Sequence, residues 1–110
     1  MARERIKPIT LTDDETGEVY TLEFNRKTIK MAEDAGLDII NGDKKPMTTL
    51  SLLWYFSFKM HHPTMTAIKA EKLLDGVGTI PDSLVDRLVA LYKAGAESLS
   101  DENPKVTVVL

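Results

Sequence analysis

The chain has no cysteine among its 110 residues. It therefore forms no disulfide, offers no thiolate to a zinc ion and has no cysteine nucleophile. Long hydrophobic runs are missing as well. The most apolar stretch, residues 50–58, falls far short of the ~20 residues a membrane-spanning helix requires, so no membrane partner is expected. The opening Met1-Ala2-Arg3-Glu4-Arg5 leads into no apolar core and does not read as a signal peptide, which leaves the cytoplasm as the expected location. There is no excess of one charge either. Fourteen Lys and Arg stand against seventeen Asp and Glu, for a net charge of −3. A pI of about 5.3 lacks the positive excess that phosphate neutralisation needs, so nucleic acid is not an expected partner. The sequence shows no internal repeat and no low-complexity tract.

What is present is ordinary for a soluble globular chain: 43% hydrophobic and 28% charged residues. The length predicts a single domain over residues 1–110. Residues 6–11 and 19–24 read as two strands joined by the turn composition Thr12-Asp13-Asp14-Glu15-Thr16-Gly17. In the second, Tyr20, Leu22 and Phe24 share one face, the mark of a strand with one buried side. Asn25 fits an N-cap for a helix over residues 26–35, with Ile29, Ala32 and Ala35 or Gly36 toward the core and Gly36 as its stop. A loop over residues 37–45 carries the turn signal Asn41-Gly42-Asp43.

A second helix starts near Pro46 and runs through Leu50, Leu53, Trp54, Phe56, Phe58 and Met60 to the stop at His61-His62-Pro63. Apolar groups on most of its circumference predict a central, buried helix. Thr64 or Thr66 caps a third helix that carries Ile68, Ala70, Leu73, Leu74 and Val77 and closes at Gly76 and Gly78. A fourth, from Pro81, places Leu84, Val85, Leu88, Leu91 and Tyr92 in a single stripe. Residues 98–104 form a polar linker to a β-branched strand candidate over residues 105–110. Two strands, four helices and a last strand predict an α+β fold: an N-terminal hairpin followed by four helices packed on a small sheet.

The search for chemistry finds no catalytic, cofactor or metal residues. His61 and His62 are adjacent, whereas helical metal ligands sit three or four apart, so the pair reads as a helix end where His⁺ suits the dipole. Asp13-Asp14-Glu15 lacks the calcium-loop spacing, and Glu33-Asp34 reads as a polar helix face. Gly76-Val77-Gly78 follows a helix instead of a strand and completes no phosphate-binding pattern. The serines have no nucleophile-elbow context. A helix-turn-helix reading fails because the fourth helix opens Pro81-Asp82-Ser83 and adds Asp86, which would repel phosphates. No enzyme and no cofactor are expected.

Two features suit protein binding. Trp54, Tyr55, Phe56 and Phe58 gather the only Trp with three other aromatics, and Trp54, Tyr55 and Phe58 are candidate partner anchors whose alternative role is core packing. Val106, Val108 and Leu110 fall on one face of the C-terminal strand candidate. That strand either completes the chain's own sheet or adds to a neighbouring subunit or partner.

The run Tyr20-Thr21-Leu22-Glu23-Phe24-Asn25-Arg26-Lys27-Thr28, with Ala32-Glu33 and Gly36, resembles a family of small proteins from tailed phages and prophages of Gram-positive bacteria. Lys45-Pro46-Met47-Thr48-Thr49-Leu50, the His61-His62 helix end and Leu91-Tyr92 fit the same pattern. In size and layout the family is similar to siphophage tail assembly chaperones. The resemblance implies a non-enzymatic, self-associating protein that keeps the tape-measure protein soluble through helical surfaces while the tail tube forms. It transfers no catalytic residues. A structural tail component of terminator or connector type, or a small phage regulator, is the alternative. Five methionines (Met1, Met31, Met47, Met60 and Met65) would give a chaperone pliable apolar surface, or fill gaps in the core, as expected above all of Met60.

Overall fold

A hairpin opens the fold because the turn composition between its strands closes on itself. In the computed structural model, which describes residues 6–97 and 109–110, β1 (Ile9–Thr12) pairs antiparallel with β2 (Val19–Leu22). The register matches Ile9 with Leu22 and Thr12 with Val19. In the turn, the Asp13 carboxylate accepts from the Glu15 amide at 3.0 Å, and Gly17 takes the positive φ of 75° that the return requires. Both strands are shorter than the composition suggests. Phe24 lies just past β2 yet stays buried with Tyr20 and Leu22.

α1 (Arg26–Asp34) follows at once, capped as expected. The Asn25 side chain accepts from the Thr28 amide at 2.8 Å, and the Thr28 hydroxyl accepts from the Asn25 amide at 3.0 Å. The helix ends in a Schellman closure. The Gly36 amide donates to Glu33 and the Leu37 amide to Ala32, with Gly36 at φ 110°. This geometry turns Ala35 and Gly36 to solvent, against expectation, and buries Leu37 in their place.

After a single 3-10 turn at Gly42–Lys44, α2 (Pro46–Lys59) begins with Pro46 in its first turn. Leu50, Leu53, Trp54, Phe56, Ser57 and Phe58 are buried along it. α2 packs against α1, β2, α3 (Ala67–Val77) and α4 (Asp82–Glu97), and so forms the axis of the molecule. Thr66 is the cap of α3, accepting from the Lys69 amide, and Gly78 at φ 78° ends it. The hairpin and four helices make an α+β fold. β2 lies against α2, and the other helices gather around α2.

Two apolar positions differ from expectation. Met60 stands at the surface while Met65 fills the core, because α2 stops at Lys59 and the chain turns back beneath it. The Lys59 ammonium holds that return by donating to the carbonyls of Pro63 and Met65. Ile68 is 73% exposed, one residue out of register with the buried pair Ala70 and Leu74. The C-terminal strand candidate falls mainly outside the described residues. Val109 and Leu110, which are described, lie in no strand and are exposed.

Candidate docking groove

The aromatic cluster of α2 sorts itself by helical phase. Trp54 and Phe58, four residues apart, meet edge-on at 5.3 Å and are buried in the core. The Trp54 indole N–H donates to the Ala70 carbonyl at 2.8 Å, which ties α2 to α3. These two residues therefore hold the fold together and are not surface anchors. Tyr55 alone of the three aromatic candidates reaches the surface, with the Lys59 ammonium 5.0 Å above its ring. Of the three tail candidates, Val106 and Val108 lie outside the described residues, and Leu110 is exposed.

The histidines do structural work at the same end of α2. The imidazole of His62 accepts the Thr21 amide of β2 on Nε2 at 3.0 Å, and His61 Nε2 lies 2.9 Å from a Glu23 carboxylate oxygen. The Glu23 amide donates to the Ser57 carbonyl at 2.9 Å. The far edge of β2 is thus closed by the end of α2, one histidine serving as a substitute strand. His62 is thus engaged with the sheet edge rather than left at a free helix end. Among the described residues no group of three His, Asp or Glu side chains is placed to hold a metal ion.

The acidic candidates are also absorbed locally. Asp13 shapes the hairpin turn, and Asp34 pairs with Lys30 at the surface. A carboxylate oxygen of Glu33 accepts the Tyr92 hydroxyl at 3.0 Å. Burial first, and then this bond, push the Tyr92 pKa up to about 12. Every buried side-chain nitrogen or oxygen among the described residues has a hydrogen-bond partner.

A groove of about 330 Å³ lies between the loop before α2, the start of α2 and the first half of α4. It is lined by the buried Leu50 and Leu53, by Ile39 and Met47, and by Val85 and Val89, one helical turn apart on α4. The loop is braced for this. The Asp38 carboxylate accepts from both the backbone and the side-chain amide of Asn41, bonds that hold Asp38 below its usual pKa. The Thr49 hydroxyl donates to the Gly42 carbonyl at 3.2 Å, so the one hydroxyl in the lining is already engaged. Asp43 is the only ionisable residue of the lining. Met47, 67% exposed, and Ile40, 91% exposed and next to the lining residue Ile39, extend the apolar surface. The lining offers apolar surface, with few polar groups to fix a ligand's orientation. Sequence reading missed it, although Met47 and the Val85–Val89 spacing were visible.

No curated protein and no solved structure matches the chain. A family model described as a domain of unknown function, DUF5055, matches residues 1–108. That span is nearly the whole sequence, and the chain belongs to the DUF5055 family.

Proposed function

We propose that the chain is a non-enzymatic phage tail-morphogenesis protein, an assembly chaperone that binds apolar segments of a tape-measure protein in the host cytoplasm. The observation that carries this reading is the apolar groove beside Met47, Val85 and Val89. Its lining suits the apolar stripe of an amphipathic helix, whose side chains at i, i+3 and i+4 enter such grooves. The pliable Met47 at the mouth suits a series of similar but unequal side chains. The resemblance over residues 20–92 to the phage family points to a tape-measure protein as the client, and the apolar lining of the groove supports that reading.

Co-expression tests the reading. A tape-measure segment that is insoluble alone should become soluble and co-purify with this chain, and Val89→Asp should abolish the effect without unfolding the protein. Particles purified from the producing host should lack the chain by mass spectrometry. Presence in stoichiometric amount would mark a structural tail component, and an insoluble client would remove the chaperone assignment.

A further inference from the structure

Among the described residues, no strand covers the outer edge of β1. Thr21 sends its amide away from β1 to His62, and Thr21 is the register partner of Thr10. In an antiparallel pair both residues of such a match point their main-chain groups outward. The amide and carbonyl of Thr10, and two residues on those of Thr12, therefore face away from β2 and meet no partner among the described residues. Among the described residues the sheet has two strands, and Ile9 and Leu11, which pack against the core, are partly rather than fully buried. Such an edge is a template for another strand.

The sequence also holds Val106-Thr107-Val108-Val109-Leu110, a β-branched run beyond the polar residues 98–104. Its last two residues are 92% and 115% exposed. The described residues thus leave an acceptor edge at β1, and the sequence supplies an apolar segment suited to pair with it. We propose that the outer edge of β1 in one copy takes residues 106–110 of a second copy as an added strand. Thr10 and Thr12 supply the main-chain bonds, and Val106, Val108 and Leu110 cover the flank of Ile9 and Leu11. Donor and acceptor are different surfaces, so the contact is head-to-tail and propagates beyond a dimer unless a ring closes. This inference does not depend on the chaperone reading, because no client takes part in it.

Two variants separate the halves. Thr10→Pro deletes an outward amide that the β1–β2 ladder does not use, leaving a copy with a tail but no edge. Truncation after Asn103 leaves a copy with an edge but no tail. Circular dichroism confirms that each is folded. Light scattering across a wide concentration range should show the full chain growing in mass while each variant stays monomeric. Mixing the two variants should restore a species of one copy each, which grows no further. A full chain that stays monomeric, self-association that survives in both variants, or no pairing in the mixture would overturn the proposal. A monomeric full chain that merely loses stability on truncation would place the segment in its own sheet. If Thr10→Pro does not fold, excess peptide 104–110 must dissolve the full-chain assembly and slow hydrogen exchange at the Thr10 and Thr12 amides of the truncated chain. Failure of either would equally overturn the proposal.

Discussion

Gly95 and Gly76 both lie inside helices, yet their surroundings give alanine opposite effects. A Cβ at Gly95 would stand 2.8 Å from the Phe24 carbonyl oxygen and 3.0 Å from its carbon, so backbone must move. Nothing lies within 4 Å of a Cβ at Gly76. Gly95→Ala should destabilise by about 1–3 kcal/mol through overpacking, while Gly76→Ala should stabilise by about 0.5–1 kcal/mol through helix propensity. Opposite displacements of the urea midpoint check the pair. Tyr92 gives a pH signature at the same scale. With its pKa pushed up to about 12 against an ordinary 10.0, the folded state holds the phenolic proton more tightly than the unfolded one. That contribution is complete below pH 10 and disappears as pH rises from 10 to 12. Tyr92→Phe should flatten the alkaline fall in stability, leaving the part due to Tyr20, whose pKa is raised by its bond to Glu18 and then by burial. Superimposable stability profiles of the two proteins between pH 9 and 12 would contradict the assignment.

Elements are bounded by local chemistry and joined by distant chemistry. Asn25→Ala should cost about 1 kcal/mol, since it removes the cap that orients α1 after β2. His62→Leu should cost about 1–3 kcal/mol, because it strands the Thr21 amide in a half-buried edge. Denaturant unfolding reads both. The two cases also divide what was legible in the sequence. Asn25, Gly36, Pro46, Thr66 and Gly78 act on their own neighbours, so helix starts and stops could be read from short windows. The bonds from Thr21 to His62 and from Trp54 to Ala70 cross 41 and 16 residues, and no periodicity encodes them. The exchange of Met60 for Met65 in the core follows from where α2 stops, which is decided by the return that Lys59 clamps. The groove was invisible for a related reason: Ile39 and Val85 meet only when a loop braced by Asp38 and Thr49 is laid across a helix begun forty residues later.

At the scale of the molecule, α2 is spent on the interior and the surface is left to its surroundings. Trp54 and Phe58 bind the helices together, and among the described residues the apolar groove and the outer edge of β1 are the surfaces on which the two proposals rest. They lie on different elements, so client binding and self-association should be separable by mutation. Val89→Asp should leave concentration-dependent assembly unchanged in light scattering, and Thr10→Pro should leave client solubilisation unchanged in co-expression. The most direct measurement for the central claim is an NMR titration of the isotope-labelled chain with a soluble tape-measure segment. The account predicts shift changes concentrated at Ile39, Met47, Thr49, Val85 and Val89, with the hairpin unmoved. Shift changes confined to other surfaces, or none at saturating client, would contradict it.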